Sequence, residues 1–122
     1  MKFFITPPES PGRPLLREAD FERALRERWP GAEIRRPTHP DDTHALDWQV
    51  GMSHGLLVGS FGKDGETVIV DGDVHDAAEV ARWFRSIVPS TAPLVFFDEG
   101  YSESVALEDD TSLQDLVAPF LA

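Results

Sequence analysis

The sequence predicts one α+β domain over residues 1–122, built from a mostly antiparallel sheet with helices packed on one face. Two patterns lead to this prediction. The middle of the chain has the alternating hydrophobicity of strands, and the segments before and after it include stretches with the 3.6-residue repeat of helices. With 41% hydrophobic side chains, the 122 residues are numerous and apolar enough to fill one core. The expected order is β-α-β-β-β-β-α-β-β-α.

The chain begins with an expected strand and an expected helix. Residues 2–6 are a short, mainly apolar segment that stops at a proline-rich stretch, residues 7–14, which is typical of a strand followed by an irregular connection. Residues 18–28 predict a helix, because apolar side chains recur every four residues on one side at Phe21, Leu25 and Trp29. Pro30 ends this helix.

Four strands are expected in the middle of the chain. The clearest covers residues 44–52, where every second side chain is apolar. Residues 56–61 and 66–71 form two more, joined through Gly62-Lys63-Asp64-Gly65, whose Asp-Gly pair supplies the positive φ that tight hairpins need. A short segment at residues 33–36 is expected to pair with the outer side of the first strand. Together these strands form a four-stranded antiparallel meander.

A second helix is expected from an N-cap at Asp73 to a stop at Pro89. Its core-facing stripe consists of Ala77, Val80, Ala81, Phe84, Ile87 and Val88. Trp83 lies one position off this stripe. It is either half-exposed, forming a contact surface with Arg82 and Arg85, or part of the core.

Two strands and a third helix complete the chain. Residues 94–97 predict a buried strand, residues 98–101 a turn and residues 103–108 the return strand. A Thr-x-x-Gln capping box at residues 111–114 predicts the start of the last helix. Pro119 is expected to end that helix early.

The charge of the chain is strongly acidic and unevenly distributed. Its formal net charge is −11, of which −2 lies in residues 1–70 and −9 in residues 71–122. Nucleic acids and anionic membranes are held mainly by Lys and Arg, so we expect neither as a partner. A basic protein partner fits this charge, although acidic side chains also serve simply to keep a protein in solution.

Composition excludes several further classes of protein. The chain has no cysteine, so disulfides, thiolate catalysis and Cys-based zinc sites are excluded, and a reducing cytoplasm is the expected location. The first eight residues contain too short an apolar stretch for a signal peptide, and no segment is long enough to span a membrane. No phosphate-binding or dinucleotide-binding glycine motif occurs, so no cofactor is expected.

The segment Gly51-Met52-Ser53-His54-Gly55 matches the G-x-S-x-G pattern of hydrolases that use a serine nucleophile. In those enzymes the motif connects a strand to a helix. Here a strand follows it, so the pattern indicates a hairpin turn. We therefore expect no catalytic role for Ser53.

Two other polar segments have residue types that bind metal ions. His39, Asp41, Asp42 and His44 could hold a divalent ion, but the alternation of the strand places His44 with Leu46 and directs Asp47 to the opposite face, so a solvated loop is the preferred interpretation. Residues 71–76 contain three carboxylates but lack the glycine and glutamate of a calcium-binding EF-hand loop. Asp73 as a helix N-cap, with Asp76 in the first turn, explains them without a metal.

The acidic turn after residue 97 is the preferred candidate for a contact surface. It contains the only tyrosine of the chain, and an exposed tyrosine among acids is typical of interfaces. A tyrosine that packs back on the sheet is the alternative. The predicted protein-binding residues are Asp98, Glu99, Tyr101, Glu103, Glu108, Asp109 and Asp110.

Residues 94–107, with the acidic helix that follows, resemble the C-terminal half of small uncharacterised α+β proteins of high-GC bacteria. The stretch Ala81-Arg82-Trp83-Phe84-Arg85-Ser86-Ile87-Val88-Pro89 is similar to theirs as well. This resemblance carries no catalytic signature. In size and charge the chain is also similar to immunity proteins and antitoxins, which block basic sites on toxins.

The sequence therefore predicts a non-catalytic protein-binding module that meets a basic partner through its acidic C-terminal half. The alternative is a metal-assisted hydrolase or small-ligand-binding protein that uses His39, Asp41, Asp42 and His44. A structural or self-associating module is a third possibility, in which residues 33–36 pair with a second copy, but the two arginines there oppose such pairing.

Overall fold

Seven strands form one antiparallel sheet in the computed structural model, which describes residues 1–121. The strands are β1 Lys2–Thr6, β2 Glu33–Arg35, β3 His44–Met52, β4 Gly55–Gly62, β5 Val68–Asp71, β6 Val95–Asp98 and β7 Ser104–Ala106. The helices are α1 Glu18–Arg28, α2 Val74–Ile87 and α3 Leu113–Leu121. The predicted α+β class, the element order and the antiparallel sheet are confirmed.

The first strand of the chain lies inside the sheet, between segments that are distant in sequence. The strand order is β2-β3-β4-β5-β1-β6-β7. Strands β2 to β5 pair successively and form the predicted meander. Strand β1 then pairs with β5 on one side and with β6 on the other, so it joins the meander to the β6–β7 hairpin.

Tight turns set the register of the meander. Only Ser53 and His54 connect β3 to β4, and Gly55 follows with a φ of 138°, a backbone conformation that glycine adopts readily. Between β4 and β5, Gly65 has a φ of 72°, while the Asp64 carboxylate accepts hydrogen bonds from backbone N–H groups that follow it. Both hairpins were predicted from these glycines.

All three helices pack on the same face of the sheet. The ring of Phe21 in α1 stacks on Phe61 of β4 with centroids 4.1 Å apart, and Phe84 in α2 meets the same Phe61 ring edge-on. Phe120 in α3 packs edge-on against Phe3 of β1. Each of these large apolar side chains contributes about 1.5–3 kcal/mol when it is fully buried.

Trp83 belongs to the core formed between the helices and the sheet. Only 8% of its surface is exposed, and its ring packs edge-on against both Phe21 and Trp29 of the first helical segment. The residue is therefore not a contact surface. Its position off the stripe of α2 directs it toward α1, which covers it.

The last helix begins one residue later than the predicted capping box. The Ser112 hydroxyl accepts a hydrogen bond from the N–H of Asp115, and the Asp115 carboxylate accepts one from the N–H of Ser112. Thr111 is instead buried, with its hydroxyl accepting from the N–H of Glu108. The capping box is thus Ser112-x-x-Asp115.

The helix also continues through Pro119 to Leu121, so the early end predicted from the proline is wrong. Phe120 packs edge-on against Phe3 and Phe96 of the sheet. These contacts hold the last turn in place although Pro119 lacks the N–H that a helix uses.

The opposite face of the sheet is not covered by a helix in the described part of the chain. One cross-strand row on this face runs from β6 to β2 through Phe97, Phe4, Ile69, Ser60, Asp47 and Arg35. The row is apolar at the β6 end and charged at the β2 end. Leu56 and Val58 of β4 add exposed apolar surface on the same face. We call this surface the open face.

Candidate functional site

The predicted contact residues divide between the two ends of the β6–β7 hairpin. The turn between these strands carries Glu99, Tyr101 and Glu103. The residues after β7 are Glu108, Asp109 and Asp110. At the usual rise of a strand the two groups are about 10–15 Å apart, so they form two acidic surfaces and not one.

Tyr101 is the most exposed aromatic side chain of the described chain, with 67% of its surface accessible. Its backbone has a φ of 55°, a left-handed conformation that is unusual for a residue other than glycine. The ring stacks on Phe97 at 4.2 Å between centroids, and Phe97 stacks on Phe4 at 5.2 Å. These three rings form a continuous row on the open face, which we call the aromatic row.

Carboxylates border the aromatic row. Glu99 lies 3.9 Å from the ammonium group of Lys2, and both side chains are more than half exposed. Glu103 is exposed on the other side of the turn. Asp71, next to Lys2 in the sheet, pairs with the N-terminal amino group. This end of the sheet therefore presents aromatic rings beside carboxylates, of which Glu99 and Asp71 are paired with cations of the chain itself.

Asp98 has a different position from the other predicted contact residues. It is buried, and its carboxylate accepts hydrogen bonds from the Ser102 hydroxyl and from the backbone N–H groups of Ser102 and Glu103. The Ser102 hydroxyl makes the largest contribution to lowering the pKa of Asp98, although burial opposes it. Asp98 shapes the turn and is not part of the exposed contact surface.

The acidic surface after β7 lies beside a buried arginine. Arg85 of α2 donates hydrogen bonds to the carbonyl groups of Pro89 and Ala92, and its Nε lies 3.4 Å from a carboxylate oxygen of Asp109. Asp109 is thus paired in part with a charge of its own chain. Glu108 and Asp110 are exposed.

The four residues of the alternative metal site do not converge. His39 accepts a hydrogen bond from the N–H of Asp41 in an exposed loop, and His44 lies at the beginning of β3. In residues 1–121, no group of three potential ligand atoms within 4.8 Å of one another includes His39, Asp41, Asp42 or His44.

His44 and Asp47 do meet, contrary to the alternation expected for a regular strand. The Nδ1 of His44 lies 3.0 Å from a carboxylate oxygen of Asp47. The pairing of β3 with β4 shifts between His44 and Leu46, as in a β-bulge. A bulge changes the face of the sheet to which the residue before it points. The alternation of apolar and polar residues does not reveal where a bulge occurs.

The G-x-S-x-G segment forms the two-residue hairpin turn that was predicted, and Ser53 is exposed in it. The neighbouring His54 makes long-range contacts. Its backbone N–H and its ring Nδ1 both bond to the carboxylate of Asp76 in α2, at 3.2 and 3.1 Å. Asp76 is only 2% exposed, so this pair fixes the turn against the helix.

A second imidazole lies beside His54 at the beginning of α2. Asp73 caps this helix as predicted, accepting a hydrogen bond from the N–H of His75 at 2.8 Å, and it also accepts from Nδ1 of the His75 ring at 2.9 Å. The two imidazole rings stack with centroids 4.6 Å apart. The backbone N–H of His75, followed by its ring, lowers the pKa of Asp73.

His54, Asp73 and His75 form a cluster of potential metal ligands. One ligand atom from each residue lies within 4.8 Å of one from each of the others. We call these three residues, together with Asp76 behind them, the His–Asp cluster. The sequence patterns predict no role for His54 or His75.

Comparison with family models, curated proteins and solved structures found no match. The His–Asp cluster and the aromatic row are therefore interpreted from their own geometry. Among the helices of residues 1–121, none combines the length and the hydrophobicity needed to cross a membrane.

One signal in the sequence could have indicated the His–Asp cluster. The predicted strands at residues 56–61 and 66–71 are antiparallel neighbours, so the turn before the first and the segment after the second lie at the same end of the sheet. His54 belongs to that turn, and Asp73 and His75 to that segment. Neither motif predicts a site alone, but the topology places the two together.

Proposed function

We propose that this chain is a non-catalytic protein-binding module that contacts a basic protein through the aromatic row and the carboxylates of the β6–β7 turn. The observation that carries the proposal is the exposed ring of Tyr101, stacked on Phe97 on the open face. A stacked tyrosine in a defined position loses little conformational freedom when a partner covers it. Tyrosine is accordingly common among the residues that dominate binding energy.

The chemistry of this surface supports a partner rich in Arg or Lys. Glu99 and Glu103 offer carboxylates to such side chains, and the face of Tyr101 can receive a guanidinium group. The net charge of −9 in residues 71–122 extends the attraction beyond direct contact, which speeds association at low ionic strength. Glu108 and Asp110 contribute to this field from the far end of the hairpin.

A role in neutralising a basic toxin, as immunity proteins and antitoxins do, is the form of binding that the size and charge of the chain favour. It would require the partner's functional site to be basic and the complex to be weakened by salt.

The proposal is tested by comparing variants in affinity capture from the native lysate, with quantification of each retained protein. We expect Tyr101→Ser to reduce the affinity for the partner about 30-fold, as loss of a central interface residue does. Glu99→Gln combined with Glu103→Gln is expected to reduce it about tenfold at low salt and less at high salt. The captured protein is then purified and titrated against each variant.

The matched control is Glu9→Gln combined with Glu27→Gln. Both glutamates are exposed, and this pair changes the net charge by the same amount away from the aromatic row. A partner that the control variant retains and the turn variants lose supports the proposal. Equal retention by all variants, or no basic protein retained by the wild type, contradicts it. Sedimentation in parallel shows whether a second copy of the chain is the occupant, which would also contradict it.

A further inference from the structure

The His–Asp cluster combines two segments that are separated by about 20 residues and have no sequence motif in common. The β3–β4 turn provides His54, and the first turn of α2 provides Asp73 and His75. Their side chains are 47%, 39% and 44% exposed. An ion in the surrounding water can therefore reach all three.

A buried carboxylate orients the His54 imidazole for coordination, because Asp76 accepts a hydrogen bond from Nδ1 of that ring. The Nδ1 of His75 lies 2.9 Å from the Asp73 carboxylate, so an ion held by both residues takes the place of the proton between them. A neutral imidazole that donates from Nδ1 keeps its lone pair on Nε2. Pairing of the far ring nitrogen with a carboxylate is the usual way in which proteins orient a metal-binding histidine.

The local charge favours a cation. Asp73 and Asp76 are hydrogen-bonded to histidine rings, and no Lys or Arg in the described residues pairs with either carboxylate. The N-terminus of α2 carries about half a positive charge, which opposes a cation, but two carboxylates exceed it. With neutral imidazoles the cluster thus has a negative charge that no neighbouring cation compensates.

We propose that His54, His75 and Asp73 bind a divalent transition-metal ion, with Zn²⁺ as the expected ion, and that Asp76 positions the His54 ring. Two imidazoles and a carboxylate are ligands that suit Zn²⁺. Three protein ligands leave a fourth coordination position to water or to a side chain of another molecule. This proposal is independent of the protein-binding function, although both sites lie at the same end of the sheet.

The test uses metal-free protein without a histidine tag, titrated with Zn²⁺ in a calorimeter. We expect one ion per chain, and at least tenfold weaker binding for His75→Ala and for Asp73→Asn. Asparagine is as good an N-cap as aspartate, so Asp73→Asn removes the ligand charge and keeps the helix start. Zn²⁺ is also expected to raise the melting temperature of the wild type more than that of either variant.

The chain provides a matched control in its other two histidines. His39→Ala combined with His44→Ala removes as many imidazoles as His54→Ala combined with His75→Ala, and we expect it to leave Zn²⁺ binding unchanged. Circular dichroism of each variant confirms that it is folded. The proposal would be overturned if binding did not saturate by about 1 mM Zn²⁺, because a millimolar dissociation constant is very weak binding. Equal binding by wild type and Asp73→Asn, or loss of binding in the His39/His44 control, would overturn it as well.

Discussion

Asp76 of α2 accepts hydrogen bonds from both the backbone N–H and the ring of His54, which precedes it by 22 residues. Through this one carboxylate, the turn between β3 and β4 is attached to the first turn of α2. The attachment fixes the distance between His54 and His75, whose rings stack. The end of the sheet that carries the His–Asp cluster thus depends on a buried charge.

We expect Asp76→Ala to lower the free energy of unfolding by about 1.5–3 kcal/mol, because hydrogen bonds to a charged group are lost and the N–H of His54 is left without its partner. Urea denaturation followed by circular dichroism measures this change. The control is Asp41→Ala, at a carboxylate that is 90% exposed, where a change within about 0.5 kcal/mol is expected. Equal effects at both positions would contradict the structural role of Asp76.

Gly59 of β4 lies directly under the indole of Trp48 in the neighbouring strand. A Cβ atom at position 59 would come within 2.3 Å of the Trp48 ring, which the packed core cannot accommodate without movement. Gly59→Ala is therefore expected to cost about 1–3 kcal/mol by overpacking. Gly51→Ala in the same hairpin is the control, since a Cβ there meets no atom within 4 Å. Chemical denaturation of both variants distinguishes the two sites, and a smaller loss for Gly59→Ala than for Gly51→Ala would refute the packing argument.

The acid dependence of stability is expected to include a contribution from Asp98. Its pKa is lowered in the folded chain, chiefly by the Ser102 hydroxyl, so the ionised form stabilises the fold. This contribution is complete above the ordinary aspartate pKa of about 3.9 and is lost as the pH falls through the lowered pKa. The stability difference between wild type and Asp98→Asn should therefore be largest near pH 7 and shrink below about pH 4.

Urea denaturation at several pH values measures this difference, and NMR titration of the carboxyl carbon locates the pKa directly. Ser102→Ala should raise the pKa of Asp98 toward its ordinary value. The control is Asp110→Asn, which removes one exposed carboxylate outside the β6–β7 turn. A stability difference for Asp98→Asn that is constant with pH would show that the carboxylate charge is not involved.

The start of α3 offers a test between the predicted and the observed capping box. Ser112→Ala should cost about 0.5–2 kcal/mol, because it removes the hydroxyl that accepts from the N–H of Asp115. Gln114→Ala should have little effect on stability, because Gln114 is exposed. The residue that accepts from the N–H of Ser112 is Asp115, not the glutamine of the predicted capping box. Thermal denaturation of the two variants measures the contrast. A larger loss for Gln114→Ala would favour the box at residues 111–114.

The elements of this fold were predictable because their signals are local. Apolar side chains at every second residue identified β3, and those at every fourth identified α1, whose bounds agree with the prediction. Asp73 was correctly assigned as an N-cap for the same reason. The errors at His44 and Pro119 arose where a bulge or a tertiary contact outweighed the local pattern.

The candidate sites were only partly predictable. For Tyr101 the sequence left two alternatives, an exposed ring or a ring packed on the sheet. Both apply, because one face of the ring is exposed and the other stacks on Phe97. Asp98 could not be distinguished from Glu99 by sequence, because its burial depends on how the turn folds over it.

The sequence by itself determined the type and order of the secondary-structure elements, the two tight hairpins of the meander and the concentration of negative charge in the second half of the chain. Hydrophobic repeats, turn residues and charges are properties of neighbouring positions, so they need no knowledge of the fold. Only the tertiary structure decided that β1 lies between β5 and β6, that Phe4, Phe97 and Tyr101 form one row, and that His54 meets His75. These relationships join residues that are far apart in the chain. Strand pairing and core packing bring them together, and no local sequence pattern encodes either.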